Sequence, residues 1–298
     1  MNGLLILDKP AGMTSFRCCG IARRILNIKK AGHAGTLDPM ATGVLPIMLG
    51  GATKFLDWLP EQGKRYTAAF RFGFTSDTLD CWGTVTPTAG PIPSLAGIEA
   101  LLPRFRGEIL QIPPMVSALK QDGVRLYQLA RQGVEVERPA RPVTVHTLEI
   151  IGYDPAAGEL TLDCACSKGT YIRSIGDDLG RLLDCGAVMT ALRRTTAAGF
   201  TLEQAVTLER IEAMTPEQAA ETLIPVDTVL AVYPVLTVSA AQAVRFRNGG
   251  GLAAERLGQP DEFIEGGIWR LYAPDGDFLG LGQMKNGQMT VQCLMLNA

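Results

Sequence analysis

Histidine is scarce in this chain: only His33 and His146 occur in 298 residues. Cysteine is present seven times, at positions 18, 19, 81, 164, 166, 185 and 293, yet it forms no CxxC pair. An odd number of cysteines suits no disulfide framework. With so few ligands in sequence no metal site is expected, zinc included, and the thiols read as buried and free. No apolar run reaches the ~18 residues a membrane helix needs. The opening MNGLLILDKPAGM has no basic stretch of the kind that begins a signal peptide, so a cytoplasmic protein with no membrane partner is expected. GxGxxG and Walker sequences are also absent, which leaves no nucleotide-binding loop to propose. Charged residues make up 19% and hydrophobic residues 47%, the balance of a globular chain.

The net charge is −2, which by itself argues against a nucleic-acid partner, but its distribution does not. Residues 1–60 carry seven basic and three acidic side chains, and residues 199–230 carry one basic and six acidic. A phosphate backbone responds to a local patch and not to the total. A solvated helix face would account for Arg23, Arg24, Lys29 and Lys30 equally well.

The pattern along the chain predicts an α+β fold. LLILDKP reads as a short buried strand, followed by a helix capped by Thr14 or Ser15 and running to about Asn27. VLPIMLG and KRYTAAFRFGF read as strands, SLAGIEALLPRFRG as a helix opened by Ser94. VTVHTLEIIGYD and GELTLDCACSKG read as two strands joined by a turn. TYIRSIGDDLGRLLDCG reads as a helix capped by Thr170 and stopped by Gly186. Residues 201–230 hold two acidic helical segments. From about Tyr233 short strands alternate with PDG and KNG turns, which are hairpin signals. A boundary near residue 231 divides a domain over 1–230 from a smaller one over 231–298.

GHAGTLDPMATGVLP, residues 32–46, fits neither helix nor strand, and it presents one acid, Asp38. An acid in a Gly-rich turn usually serves as a turn or cap residue. His33 nearby, Tyr66 in KRY and Arg173 in SKGTYIRS open a second role. A carboxylate, a cation to keep it ionised and an aromatic hydroxyl are what a carboxylate nucleophile needs, because an adjacent Arg favours the charged form.

GHAGTLDPMATGVLP resembles the signature of the TruB-type tRNA pseudouridine synthases, which modify uridine 55 in the T-loop. The family's further motifs follow in order: LLILDKPAGMTS, KRY with FGFTSDTLD, QIPPMVSALK, RLYQLARQG, CSKGTYIRS with DDLG, and LRRT. The similarity runs from about residue 3 to 230. It implies a mixed, largely antiparallel sheet with flanking helices, and no cofactor or metal. Asp38 is then the catalytic aspartate, acting at ribose C1′, at base C6 or in an elimination. Tyr66 stacks on the target base and is a candidate for proton handling at C5. Arg173 orients Asp38, Tyr171 lines the pocket, Asp80 supports Arg173, and Leu192 forms an apolar wall. His33 takes the place of the flipped base; the plainer reading is a core histidine. Lys9 either contacts phosphate or braces the Gly-rich loop.

The resemblance makes residues 112–142 an RNA-gripping insertion that carries Lys120, Arg125, Arg131, Arg138 and Arg141. The tail from about 233 resembles a small PUA-like β-domain, with Arg245, Arg247 and Arg270 as candidate phosphate contacts. Val116 and Val188 stand where the family often has an aromatic and a histidine. The implied partner is the tRNA T-arm stem-loop, met by a monomer with no obligate protein partner. Two alternatives are a guide-RNA-dependent relative and an RNA-binding or RNA-folding protein with secondary catalysis. The insertion argues against the first, and the Asp38, Tyr66 and Arg173 set against a binder without chemistry.

Overall fold

The computed structural model describes residues 2–60, 63–121, 123–258 and 263–295. The chain opens with β1 (Gly3–Lys9), α1 (Ser15–Ile25), β2 (Ala31–His33) and β3 (Thr42–Leu49), and a 3-10 helix over Gly50–Trp58 leads to β4 (Lys64–Phe72). β5 (Phe74–Ser76) pairs with β6 (Val85–Pro87), and α2 (Leu95–Leu101) runs through a 3-10 turn into β7 (Gly107–Gln111). The next segment holds β8 (Lys120–Gln121), β9 (Val124–Arg125) and α3 (Leu126–Arg131). Then come β10 (Arg141–Asp154), β11 (Glu159–Cys166), α4 (Ile172–Leu182), β12 (Ala187–Ala197), β13 (Phe200–Thr201) and β14 (Val206–Thr207). The short helices α5 (Leu208–Glu212), α6 (Pro216–Glu221) and α7 (Val226–Val229) follow.

These strands build one mixed sheet in the order β14-β1-β3-β12-β4-β11-β10-β7, with β2 added to β3 and β13 to β12. Among the described strands of this sheet, the β1–β14 and β3–β12 pairs are parallel and the rest antiparallel. The apolar run of β1 is explained by cover on both faces. Leu5 and Leu7 join the core that includes Cys18, Cys19 and Ala22 of α1. Leu4 and Ile6 face the other way, into a cluster with Ala52 and Phe55 of the 3-10 helix and Leu281 and Cys293 of the C-terminal sheet. Each such Leu or Ile contributes ~1.5–3 kcal/mol on burial. β4 alternates: Tyr66, Ala68, Phe70 and Phe72 are buried and the residues between them are not.

Thr14 caps α1, its hydroxyl accepting from the Arg17 N–H at 3.1 Å, and Ser94 caps α2 in the same way. Two sequence expectations are corrected. Thr170 does not cap α4: its hydroxyl donates to the Ser167 carbonyl, and Tyr171 holds the cap position. The acidic stretch forms three short helices and not two, because Pro216 starts α6 and Pro225 precedes α7, and neither can continue a helix.

The C-terminal part contains β15 (Val235–Thr237), α8 (Ala240–Arg247), β16 (Leu252–Ala253), β17 (Ile268–Tyr272), β18 (Phe278–Lys285) and β19 (Gln288–Leu294). They form a second sheet in the order β15-β17-β18-β19-β16 with its own core. The KNG turn joins β18 to β19 with positive φ at both Asn286 and Gly287, the geometry that favours this dipeptide in tight hairpins. This sheet is docked on the larger one: Phe55 and Phe278 meet at 5.7 Å, and the Tyr233 hydroxyl donates to the Trp58 carbonyl at 3.0 Å.

Candidate active site

The loop from His33 to Gly43 leaves the end of β2 and returns as β3, its antiparallel neighbour. Four side chains from distant elements hold it, three through its backbone and one through its acid. Ser15, at the start of α1, both donates to the Leu37 carbonyl and accepts from the Leu37 N–H. Lys9, at the end of β1, donates to the carbonyls of Pro10, Pro39 and Ala41 at 2.9, 3.2 and 2.5 Å. Arg194 of β12 donates to the carbonyls of Gly35, Thr36 and Val44. Arg173 of α4 holds the acid itself. Gly43, with φ +102°, must be glycine, because a Cβ there would stand 2.2 Å from the Arg194 carbonyl oxygen.

Arg173 grips Asp38 with two nitrogens, Nε to Oδ2 at 2.9 Å and Nη2 to Oδ1 at 3.2 Å. This fork-to-fork pairing sets the plane of the carboxylate as well as its place. Nη1 also donates to the Thr78 carbonyl, and Nη2 to the Val116 carbonyl, both at 2.8 Å. Asp80 lies 3.7 Å from the same guanidinium and is itself held by the Thr78 hydroxyl and the Trp82 N–H. Arg173 is 3% exposed and the Asp38 side chain 32%, so the acid is the open end of a buried pair.

The electrostatics differ from the sequence expectation in one respect. Burial pushes the Asp38 carboxyl up from its usual range; Arg173 opposes that rise and Asp80 adds to it. The cation therefore works against a desolvation that outweighs it.

Tyr66 lies on β4 with Arg194 as its cross-strand partner on β12. Burial, the largest influence, drives its phenol to about 12, and the charge of the neighbouring Arg194 guanidinium pulls the other way. Leu192 pairs with Ala68, and the pleat puts it on the same face as Tyr66 and Arg194, buried in the main core. Tyr171 stands at the head of α4. Its N–H donates to Gln111 Oε1 at 2.7 Å and its carbonyl accepts from Gln111 Nε2 at 3.0 Å.

His33 borders the open side of the loop. Burial lowers its pKa, with Arg194 and Arg125 adding to the effect, so the ring is neutral near pH 7; its Nδ1 meets no partner among the described residues. A cleft of about 1060 Å³ runs past His33, Asp38, Val116, Ser117, Tyr127 and Arg131. Its far wall is the 112–142 segment. Lys120, Arg125, Arg131 and Arg141 are exposed there, Arg131 lying over the Tyr127 ring at 5.5 Å. Arg138 is turned to Glu135 at 3.6 Å.

Thus His33 and Asp38 line the cleft, Arg173 and Asp80 stand behind Asp38, and Tyr66 and Tyr171 are not among its lining residues. Two readings change. Lys9 has no exposed surface and its ammonium is spent on loop carbonyls, so it braces the loop and does not face a phosphate. Arg270 donates to the Tyr233 carbonyl and to the Asp227 carbonyl of α7 in the larger domain, and Arg247 pairs with Asp277 at 2.9 Å, so both are engaged in contacts within the protein. Two residues escape sequence reasoning. Gln111 opens the QIPPMVSALK motif and Arg194 sits within LRRT, but neither is singled out there; no sequence signal marks a glutamine that clamps a helix start. A second arginine on an otherwise apolar strand is a signal that could mark Arg194. Among the described residues no cluster of ligating side chains suits a metal.

Comparisons with known proteins agree across the whole length. Residues 23–172 match the TruB family pseudouridylate synthase N-terminal domain, 173–231 the tRNA pseudouridylate synthase B C-terminal domain, and 234–295 the pseudouridine synthase II TruB C-terminal domain. The tRNA pseudouridine synthase B of Aromatoleum aromaticum is 45% identical over 296 residues, 99% of this chain and 93% of that protein. The enzyme of the same name from Burkholderia pseudomallei is 42% identical, covering 99% and 97%. Among solved structures, a chain of a Cbf5–Nop10–Gar1 complex superposes with a TM-score of 0.68 at 25% identity, covering 99% of this chain and 84% of that one. With matches to all three TruB domains and full-length relatives above 40% identity, the chain belongs to the TruB family of pseudouridine synthases.

Proposed function

We propose that this chain converts uridine 55 of the tRNA T-loop to pseudouridine, with Asp38 as the nucleophile on a uridine flipped out of its stack. The observation that carries this reading is the Asp38–Arg173 pair: a carboxylate gripped at 2.9 and 3.2 Å by a buried arginine, with its free edge opening on the cleft. The target atoms of a stacked base are out of reach, so the nucleotide must leave the stack, at a cost of a few kcal/mol. A neutral His33 at the cleft edge is suited to fill the vacated place by stacking. Tyr66, buried on β4 as the cross-strand partner of Arg194, is the residue assigned the aromatic face and the hydroxyl for the C5 proton.

The exposed cations Arg125 and Arg131 on the cleft, with Lys120 and Arg141 exposed on the same segment, suit an RNA backbone. They support a protein that grips tRNA by itself, without a guide RNA, and relatives named tRNA pseudouridine synthase B support the same choice. The test is conversion of a bare T-arm stem-loop by the purified protein. Pseudouridine at position 55 is expected without added protein or RNA; no product until a guide RNA is supplied would overturn the stand-alone reading.

A further inference from the structure

Arg194 is the largest side chain among the described residues with no exposed surface. Its guanidinium meets three backbone carbonyls, Val44 at 2.7 Å, Gly35 at 3.2 Å and Thr36 at 3.5 Å, and its cross-strand neighbour on β4 is Tyr66. Among the described residues no carboxylate stands within ion-pair distance of it. A buried cation with no anion is an expensive way to fill space; an apolar side chain of similar volume is often as stable or more so. Some function must use the charge or the fork.

The placement of the partners identifies that function. Gly35 and Thr36 precede Asp38 in the loop, and Val44 follows it. Tyr66 lies directly across the sheet from Arg194. The Arg194 backbone also runs parallel to Gly43, so close that no side chain fits between them. One residue therefore touches both ends of the segment that carries the acid and is paired across the strands with Tyr66. Lysine cannot do this: its single ammonium cannot span acceptors that the planar guanidinium reaches from separate nitrogens.

We infer that Arg194 is a positioning residue for the reaction, a shared anchor that holds the Asp38 loop and Tyr66 in one register. This rests on the reading of Asp38 and Tyr66 as the reacting groups. Arg194 touches no substrate. It fixes the distance between two groups that do, where a misplacement of about 1 Å is enough to cost about 100-fold in rate.

The test uses the full-length protein and a T-arm stem-loop RNA, with R194K and R194Q against wild type. kcat should fall about 10-fold in R194K and about 100-fold in R194Q, with KM and the RNA Kd within about 3-fold, the signature of an interaction that matters in the transition state alone. L160A, a core truncation on β11 remote from the loop, controls for reduced stability: its kcat should stay near wild type at a temperature where it is folded. An R194K kcat within about 2-fold of wild type, or a deficit carried by KM and Kd instead, would overturn the inference. So would failure of both Arg194 variants to give folded protein by circular dichroism, since Arg194 would then be a residue of the fold. D38N separates the two claims. Turnover by D38N removes the underlying reading; an inactive D38N beside a fully active R194K removes only this inference.

Discussion

Two segments face each other across the cleft, and they are held in opposite ways. The loop from His33 to Gly43 is pinned from four distant elements by Lys9, Ser15, Arg173 and Arg194, all of them buried. The 112–142 arm is tied mainly to itself: the Tyr127 N–H donates to the Ser117 carbonyl and the Leu126 N–H to the Leu119 carbonyl. Its firm links to the body are at the root, where Arg173 holds the Val116 carbonyl and Ser174 the Ile112 carbonyl. The loop spends its cations inward on geometry, and the arm turns them outward. Rate should therefore depend on the loop and affinity on the arm.

The strongest way to break that division is at Asp38 itself. D38N keeps the shape and an acceptor for Arg173 but removes the charge. Turnover should fall by roughly 10⁴-fold or more while RNA binding survives. A single-turnover assay beside a filter-binding titration checks both halves; a D38N variant that loses binding in proportion to rate would abolish the separation of roles.

R173A should be next in size. It leaves Asp38 without its partner, and breaking a buried pair costs about 3–5 kcal/mol of stability. It also removes the influence that opposes the upward push of burial on the Asp38 carboxyl. The acid limb of the pH–rate profile should therefore move to higher pH in this variant, because more base is needed to ionise Asp38. An unmoved limb would mean that Asp38 is not the group being titrated.

Most of the frame around these residues is legible in the sequence. Alternation in KRYTAAFRF marks a half-buried strand, and the Thr14 and Ser94 caps mark helix starts, because these are local rules that need no partner to be known. The α4 cap is not legible in this way, because the decisive partner, Gln111, lies 60 residues away in the sequence, at the end of β7. Lys9 is ambiguous in sequence for the same reason: nothing local distinguishes an ammonium in water from one aimed at Pro39 and Ala41 carbonyls. The family resemblance brings Asp38, Tyr66 and Arg173 together. It does not supply the electrostatics, in which burial prevails over Arg173 at Asp38, since burial is a property of the assembled site.

Lys9 offers a smaller and sharper test of the loop's inward cations. Burial pulls its ammonium from 10.5 down to about 8. Between those pH values the unfolded chain keeps a proton that the folded chain has released, so stability should rise with pH across that window. Relative to K9M, wild type should gain on the order of 1–2 kcal/mol between pH 8 and 10 in denaturant melts. A flat difference would mean that the ammonium stays charged and that its three carbonyls compensate fully for the missing solvent.

The arm should give the smallest effect, and one of another kind. K120A, R125A and R131A remove exposed charges that touch neither Asp38 nor its supports. Each cation taken away from a phosphate should lower the slope of log K against log salt by about 0.7–0.9. The triple variant should therefore bind a T-arm stem-loop more weakly at low salt and approach wild type as salt rises. Its kcat at saturating RNA should be unchanged, because the loop that sets the reacting geometry has kept every one of its anchors. If kcat fell with KM, the arm would have to be placing the uridine as well as holding the RNA. The bond from Arg173 to the Val116 carbonyl at the arm's root would then be the first to probe by mutation, since it joins the two segments through the residue that grips the acid.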